Sequence, residues 1–422
     1  MKSQEDRFTI PLIFILFILL TLLILTTYFD LHSKINYFYN IYPRQSYINI
    51  EEVNRSMILG ITEEKTGYLL FDWVKGNVII RSRSADEVFE HAVKLLAPTG
   101  GSIIVNPGTY TLTKPLTLGS KISLKGNGFP TLVFPANSDG IVISEDSSYV
   151  EISGLIIRGS KESRSGALLR IKKHGFTIRI ANLELFSHYD GIIIEGGMPP
   201  KDFWGIIISG VHVHDMSNNG LVVKGYGNVL YVKESNIANS GNACIVLEDT
   251  ADGVMEFNNI HCFNSGKYSV LAYNTQGGYV QHKRFVHCNL EGIDMRPETS
   301  RFTNCINIAF IDVEIAGMRG NGLELINCRD VRIIGGRIIN NSIGSPLKYS
   351  GIYLKDSRNV LIQGVFIYDF SPPGQKTQGF GIYEDGSSDY NIFQGNVLSG
   401  NGLAALKVSG THSIVQGNIE GD

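Results

Sequence analysis

GIIIEGGMPPKDFWGIIISGVHVHDMSNNGLVV, residues 191–223, contains one full period of a repeat that runs through most of the chain. Each period has a glycine or another small residue followed by a short apolar run, and the period is about 21 to 30 residues. The apolar runs begin at Gly166, Gly191, Gly220, Ala243, Gly292, Gly322, Gly351 and Gly402. This period predicts stacked coils, each too small to bury its own apolar face, so residues one period apart become neighbours in space.

The composition fits one long solenoid and argues against a nucleic-acid-binding protein. The chain has 422 residues and 46 glycines, as expected where every coil needs several turns. It carries 37 basic and 40 acidic residues, which gives a net charge of −3. A nucleic-acid-binding surface needs an excess of basic residues to displace counterions, and this composition has none.

Short apolar runs, bounded by Gly, Asn, Asp or Ser, follow one another after residue 101 without intervening helical patterns. Such runs predict strands, and their period predicts parallel coils rather than a sandwich. One helical pattern precedes them, over residues 85–97. Ser84 is its predicted cap, with Glu87 reaching back in a capping box. We expect this helix to cover the open apolar end of the solenoid.

The segment that begins with this helix resembles the opening of the right-handed β-helix proteins of the pectate lyase superfamily. The shared features are the helix, a Gly-Gly turn, Pro107-Gly108-Thr109-Tyr110 and Gly126-Asn127-Gly128. The resemblance covers about residues 65–422 and implies an all-β fold, a single-stranded right-handed parallel β-helix, and we predict that this domain occupies residues 61–422. It implies no single chemistry, because the superfamily includes lyases, hydrolases, epimerases, phage adhesins and non-catalytic surface proteins.

Residues 8–29, FTIPLIFILFILLTLLILTTYF, carry no charge. At about 1.5 Å per residue a helix of this length spans the hydrocarbon layer of a membrane. The alternative is a cleaved signal peptide, but the run is longer than a typical signal core and no small-residue cleavage site follows it. We predict a cytoplasmic tail at 1–7, a single span at 8–29, a linker at 30–60 and an extracellular β-helix domain at the cell membrane.

The five cysteines have no zinc-binding spacing. Aligned coils place Cys262 over Cys288, and Cys305 over Cys328. Two interpretations remain open at this point. The cysteines form a column of buried apolar thiols, or the pairs form disulfides between coils, since the coil spacing is within covalent reach.

One aligned strand gathers histidines on its outer face. Its predicted outward column contains Glu184, His212, Ile237, His261, His287 and Glu314, and the next contains Phe186, His214, Asn239, Phe263, Asn289 and Ala316. Asp190 lies in a turn beside them. An imidazole near a carboxylate can act as a general base near neutral pH. His212, His214 and Asp190 therefore form a candidate catalytic site, with a solvated polar face as the alternative.

A second outward register follows the repeat glycine. It contains Glu195, Lys224, Glu248, Tyr273, Asp294, Arg296, Glu324, Tyr353, Lys355, Tyr383 and Asp385. Asp294 and Glu324 on adjacent coils are candidate acid and base for glycoside hydrolysis.

Arg296 and Lys355 in this register are candidate partners of a substrate carboxylate. Tyr273, Tyr353 and Tyr383 are candidate platforms for sugar rings. The alternative is a ladder of charges that stabilises the sheet and prevents aggregation.

A weaker resemblance concerns polygalacturonases. Glu291-Gly292-Ile293-Asp294 is similar to their Asp-Gly-Ile-Asp segment, and Arg170-Ile171-Lys172 to their Arg-Ile-Lys segment. The two segments occur here in the opposite order, and a Gly-His-Gly segment is missing. The sequence therefore does not predict a polygalacturonase.

We predict a membrane-anchored extracellular protein that binds a polysaccharide. As an enzyme it would be a polysaccharide lyase, a glycoside hydrolase or a uronate epimerase. The alternative is a non-catalytic structural or adhesive surface protein. Neither a cofactor nor a metal site is predicted, since the acidic residues form no cluster that would favour Ca²⁺. The oligomeric state is left open.

Overall fold

The computed structural model describes residues 57–198, 201–251, 253–277, 283–291 and 297–421. The predicted tail and membrane span, and all but the last residues of the predicted linker, lie outside these ranges. Within the described ranges no helix is long and apolar enough to cross a membrane.

The described residues form a right-handed parallel β-solenoid of about 12 turns. Its strands make two sheets, one of 25 described strands (sheet 1) and one of 12 (sheet 2). Most coils place two strand segments in sheet 1, fused in some coils into one long strand, and one strand in sheet 2. The predicted parallel β-helix is confirmed.

The strands are numbered along the chain. Sheet 1 contains β1 (Met57–Glu64), β2 (Gly67–Asp72), β3 (Val78–Ser82), β4 (Gly101–Val105), β5 (Thr109–Thr111), β7 (Ile122–Gly126), β8 (Thr131–Val133), β10 (Ser148–Arg158), β12 (Phe176–His188), β14 (Trp204–Ser209), β15 (His212–Met216), β17 (Val229–Ala238), β19 (Val254–Phe263), β21 (Lys283–Val286), β22 (Asn289–Glu291), β24 (Ile308–Ile311), β25 (Glu314–Ala316), β27 (Arg332–Ile334), β28 (Arg337–Ile339), β30 (Leu361–Gln363), β31 (Phe366–Tyr368), β33 (Ile392–Gln394), β34 (Val397–Ser399), β36 (Ile414–Gln416) and β37 (Ile419–Gly421). Sheet 2 contains β6 (Leu116–Leu118), β9 (Ile141–Ile143), β11 (Ala167–Ile171), β13 (Asp190–Glu195), β16 (Asn219–Lys224), β18 (Ala243–Glu248), β20 (Tyr268–Tyr273), β23 (Thr299–Thr303), β26 (Leu323–Ile326), β29 (Ser350–Lys355), β32 (Phe380–Asp385) and β35 (Ala404–Lys407).

A helix, α1 (Ala85–Leu96), lies against the strands β1 to β6 and buries an apolar face that includes Phe89. Ser84 accepts a hydrogen bond from the backbone N–H of Glu87, as expected for its cap. The Glu87 carboxylate does not reach back to the Ser84 N–H. It accepts a hydrogen bond from the hydroxyl of Ser82, whose oxygen in turn accepts from the Ser84 N–H. The capping box is therefore closed through a third residue.

The core is a set of columns in which equivalent side chains of successive coils stack. Phe257, Phe285 and Phe310 stack with ring centroids 4.9 and 5.4 Å apart. Phe302 from sheet 2 meets Phe310 edge-on at 5.1 Å. Parallel strands lie about 4.8 Å apart, so aromatic residues at equivalent positions stack directly.

An asparagine ladder stabilises the turns that follow the middle strands of sheet 2. Asn274, Asn304 and Asn327 all have φ between 51° and 55°, the left-handed region that asparagine tolerates better than most residues. Their side-chain amides bond from coil to coil at 2.8 and 3.0 Å. Side-chain bonding thus offsets part of the cost of the turn backbone.

All five cysteines are buried and free, as the buried-thiol interpretation predicts. Cys305 and Cys328 occupy equivalent positions on adjacent coils, because Ile306 pairs with Arg329. The predicted stacking of Cys262 over Cys288 is wrong, because Cys262 pairs with Leu290. On the next coil, the residue stacked on Cys262 is Leu290, which lies two residues after the Cys288 of the His287-Cys288 dipeptide.

Candidate functional site

The outer surface of sheet 2 from β11 to β35, which we call the groove face, carries one column of side chains in continuous register. The column contains Arg170, Ile193, Val222, Val246, Leu271, Arg301, Glu324, Tyr353, Tyr383 and Lys407. Four consecutive members are aliphatic, and both ends are polar. Outward positions of a sheet exposed on one side are usually polar, so the aliphatic stretch is unexpected for a solvated face.

These four aliphatic residues, which we call the floor, lie beneath a cavity of about 380 Å³. Ile193, Val222 and Val246 are at most 5% exposed, although they point away from the core. Tyr268 and Tyr273 pack against them. The floor therefore forms a small apolar cluster separate from the core.

Asp190 lies at the edge of this cavity, at the first position of β13, and is 7% exposed. Its Oδ1 accepts hydrogen bonds from the side-chain amide of Asn218 at 2.9 Å and from the backbone N–H of Asn219 at 3.0 Å. Burial raises the pKa of Asp190, although these hydrogen bonds act to lower it. A carboxyl whose charged form is disfavoured in a cavity is a candidate proton donor or acceptor.

Hydrogen-bond donors complete the rim of the cavity. Lys224 forms an ion pair with Glu248 at 3.0 Å. Burial, together with the neighbouring Glu248 carboxylate, raises the pKa of Tyr273 to about 12, so its phenol stays protonated. The side-chain amide of Asn242 bonds that of Asn219 at 2.8 Å. The rim thus combines two carboxyl groups, one cation and several neutral polar groups above an apolar base.

The later coils of the groove face differ, because their polar groups bind one another. Arg301 contacts Glu324 at 2.5 Å, and the side-chain amide of Asn321 donates to the same carboxylate at 2.8 Å. The Tyr353 hydroxyl donates to Asp385 at 2.8 Å. These pairs leave few free groups on this part of the face for a ligand.

Of the predicted acid and base pair, Glu324 lies within the described residues. Its register partner on the preceding coil is Arg301 of β23. Glu324 is therefore an ion-paired carboxylate. Asp294 and Arg296 lie outside the described residues.

The other predicted substrate-binding residues lie on the groove face. Tyr353 and Tyr383 pack edge-to-face with centroids 5.4 Å apart, and the Lys407 amine donates to the Tyr383 hydroxyl at 3.0 Å. Lys355 pairs in register with Asp385 and lowers the pKa of that carboxyl, after the larger effect of the Tyr353 hydroxyl. Tyr273 alone among them borders the floor.

His212, His214 and His261 lie on sheet 1. His212 pairs with Glu184 as predicted, but the observed column continues differently. It contains Glu184, His212, Asn236, His261, Asn289, Glu314 and Arg337. Ile237 is buried instead of outward, and His287 lies in a left-handed turn, 3.7 Å from Asp312.

The predicted group of His212, His214 and Asp190 is divided between the two sheets. His214 Nε2 lies 3.2 Å from Glu184 Oε1 on β12, whereas Asp190 bonds Asn218 and Asn219 in sheet 2. The sequence interpretation had placed Glu184 in the column without giving it a role.

The floor was also missed, although the sequence carries a signal for it. Gly191-Ile-Ile-Ile and Gly220-Leu-Val-Val are continuous apolar runs, which indicate strands covered on both faces.

The fold matches known proteins. The family model described as the right handed beta helix region matches residues 139–305 and 301–420. The sequence matches none of the curated proteins.

Three solved structures are similar in fold. An A-module of a mannuronan C-5 epimerase from Azotobacter vinelandii is 15% identical, with a TM-score of 0.62, over 79% of this chain and 96% of the module. The Agl-KA catalytic domain is 15% identical, with a TM-score of 0.57, over 79% of this chain and 65% of that chain. The enzymatically active domain of tailspike protein 2 from bacteriophage CBA120 is 13% identical, with a TM-score of 0.53, over 75% of this chain and 44% of that chain. Likeness at these identities concerns the fold alone, and this chain spans less than half of the tailspike chain.

Proposed function

The chain belongs to the right-handed β-helix family, and from this premise we propose that it binds a polysaccharide along the groove face and transfers protons on it there. The observation that carries the proposal is the floor of four aliphatic side chains beneath a rim with Asp190, Lys224 and Tyr273. Several proteins with a similar fold act on polysaccharides, among them the mannuronan C-5 epimerases.

The floor suits a sugar chain in shape and polarity. Pyranose rings have apolar C–H faces and polar edges, so a ring laid on Val222 and Val246 keeps its hydroxyls near the rim. The four floor residues belong to consecutive coils, and at about 4.8 Å per coil they span roughly 14 Å. This length fits a short run of sugars rather than one monosaccharide, as expected for a polymer substrate.

The rim favours proton transfer on an acidic sugar over hydrolysis by two carboxylates. Glu248 is the other carboxylate that lines the cavity with Asp190, and Lys224 already pairs with it. Asp190 is placed to take or give a proton, and Lys224 supplies positive charge for a uronate carboxylate. The protonated phenol of Tyr273 is a candidate donor. This set suits a lyase or an epimerase.

We also propose where the protein lies in the cell. Residues 8–29 would anchor the protein to the cell membrane by a single span, with the β-helix outside. A polysaccharide of the cell surface would then lie within reach of the groove face.

The test uses the full chain purified in nonionic detergent with a panel of polyuronates and neutral glycans, with and without Ca²⁺. Glycan affinity, unsaturated product, reducing ends and solvent deuterium uptake into the sugar would be measured. Asp190→Asn should lower turnover about 10²- to 10⁴-fold, the usual contribution of a general acid or base, while affinity changes only a few-fold. Asp385→Asn, on the same face in the later coils, is the matched control.

Two outcomes would count against the proposal. Absence of binding to every glycan, with or without Ca²⁺, would overturn it entirely. Binding without turnover would overturn the catalytic part in favour of the non-catalytic surface protein.

A further inference from the structure

We propose that Glu184, His212 and His214 form a binding site for one divalent transition-metal ion of the Zn²⁺ type on the outer face of sheet 1. The site is separate from the groove face and does not rest on the proposed function. Among the described residues, these three are the group of His, Cys, Asp and Glu side chains whose ligand atoms all lie within 4.8 Å of one another.

Strand geometry brings the three ligands together. His212 and His214 are two residues apart on β15, so both point to the same face. Glu184 on β12 is the direct register partner of His212. Its Oε1 lies 3.2 Å from His214 Nε2, close to the roughly 3.4 Å between ligands about 2.1 Å from a tetrahedral Zn²⁺. Small side-chain rotations would bring all three atoms into coordination distance.

The surroundings of His214 hold it in the orientation that a metal ligand needs. Its other ring nitrogen, Nδ1, lies 3.0 Å from Asp215 Oδ2, and the side-chain amide of Asn239 donates to Asp215 Oδ1 at 3.0 Å. The Phe186 ring stacks on the imidazole at 5.2 Å with 7° between the planes. Histidine ligands of metals usually bond a carboxylate through their second nitrogen, which fixes the ring and raises its basicity.

The charges also suit a dication. The carboxyl groups of Glu184 and Asp215 lie on either side of the His214 ring, 3.2 Å from Nε2 and 3.0 Å from Nδ1.

The ligand types select the class of metal. Imidazole nitrogens favour Zn²⁺, Cu²⁺ or Ni²⁺, whereas Ca²⁺ and Mg²⁺ prefer sites built from oxygen ligands. Two histidines and one carboxylate leave at least one coordination position free. Because His212 is exposed, that position faces solvent and would hold a water molecule or a carboxylate or hydroxyl of a ligand.

The experiment titrates the full chain, stripped of metal with a chelator and kept in nonionic detergent, with Zn²⁺ by calorimetry and with Co²⁺ by visible absorption. One equivalent should bind, and the Co²⁺ spectrum should be that of nitrogen and oxygen ligands. H214A, H212A and E184Q should each weaken binding by about 100-fold or more, and D215N by about 10- to 100-fold. H261A is the matched control, because His261 pairs with Glu291 at 2.6 Å on the same sheet but has no second histidine, and it should leave affinity unchanged.

Thermal unfolding separates loss of the site from loss of the fold. Zn²⁺ should raise the melting temperature of the wild-type protein and of H261A, but not that of a folded H214A. The proposal is overturned if no saturable site is found, if H261A weakens binding as much as H214A, or if Co²⁺ shows thiolate charge-transfer absorption from the buried cysteines. Displacement of bound Zn²⁺ by an excess of Ca²⁺ would also overturn the proposal, because this ligand set should prefer Zn²⁺.

Discussion

The groove face has two halves that belong to the same sheet and the same column of outward side chains, but one half is aliphatic and the other is polar. From β13 to β20 the column is aliphatic, and its side chains cover one another beneath a cavity. From β23 to β35 it is Arg301, Glu324, Tyr353, Tyr383 and Lys407, each bound to a polar neighbour. The stacking of coils requires apolar residues at the inward positions and sets no requirement on the outward ones. The fold therefore does not require the outward column to be aliphatic in one half and polar in the other.

Ion pairs lie at both ends of the floor. Arg170 precedes the floor and binds Asp139 at 2.8 Å and Glu195 at 2.6 Å, and Arg301 follows it at the border with the late half. The polar groups of the late half bind one another, whereas the aliphatic floor of the early half lies beneath a cavity. Under the proposed function, the early half would bind the ligand and the late half would stabilise the face.

The largest expected effect on stability lies in the late half. Arg301→Ala should lower the free energy of unfolding by about 1–3 kcal/mol, because the Glu324 carboxylate, only 9% exposed, loses its cation. Urea unfolding followed by circular dichroism measures the change. Arg329→Ala is the control, since Arg329 is 53% exposed beside Asp330. A loss no larger than that of the control would contradict the structural role of the late half.

The next effect is a pH-dependent change in stability that should have opposite signs at two carboxyl groups, Asp190 and Asp139. Burial raises the pKa of Asp190, so its ionisation costs stability as the pH rises from below its unfolded pKa through its folded pKa. Asp190→Asn should therefore stabilise the protein at neutral pH and make no such difference in strong acid.

Asp139 should behave in the opposite way. Burial raises its pKa, but the Arg170 guanidinium and the Ala167 amide bring the net pKa below its usual value. Asp139→Asn should destabilise the protein at neutral pH, and the loss should disappear as the pH falls through the folded pKa of Asp139. Unfolding curves over a series of pH values test both variants, and the same sign of change in both would refute the assignment.

The floor itself should show a smaller effect, on binding and on folding. Val246→Thr keeps the side-chain shape but adds a hydroxyl to an apolar cluster, so it should weaken glycan affinity several-fold, about 1 kcal/mol, and should lower the free energy of unfolding by about 1 kcal/mol, because Val246 is only 5% exposed. Tyr383→Phe in the late half is the matched variant and should leave affinity unchanged. Calorimetry with the best glycan of the panel gives both values, and equal effects would remove the distinction between the halves.

The smallest effect on folding is expected at the rim. Lys224 and Glu248 form an ion pair whose side chains are 45% and 30% exposed, so Lys224→Gln should change stability by less than about 0.5 kcal/mol. It should nevertheless weaken binding of acidic glycans more than of neutral ones. A stability loss comparable to that of Arg301→Ala would show that the rim is structural.

Much of the fold could be predicted from the repeat, because a regular period fixes which strands become neighbours. The exact columns of sheet 1 could not. Left-handed residues such as Glu234, with φ 52°, interrupt the alternation of inward and outward side chains, so Asn236 rather than Ile237 faces outward. The lengths of the turns between coils also vary by a residue or two, which displaced Cys288 and His287 from their predicted columns.

The candidate site was harder to predict, because it depends on those displacements. The repeat glycine predicts a strand at Gly292, which lies outside the described residues, whereas β23 has the sequence Thr-Ser-Arg-Phe-Thr without the glycine signal and brings Arg301 to Glu324. The sequence predicts Asp190 beside histidines, whereas in the structure it bonds asparagines and lies beside the aliphatic floor. The burial of Asp190 beside the aliphatic floor depends on how the coils stack, so the spacing of residues along the sequence does not predict it.

The buried thiols provide position-specific probes of how the solenoid opens. A thiol in the core reacts with an alkylating reagent only when the structure around it opens, and burial raises the pKa of Cys288 to about 11, which further slows its reaction. Labelling rates at Cys244, Cys262, Cys288, Cys305 and Cys328 would therefore report the frequency of local opening along the middle coils. Equal rates would indicate that these coils open as one cooperative unit, and a graded order would indicate unzipping from one end, as nearest-neighbour coupling in a stack allows.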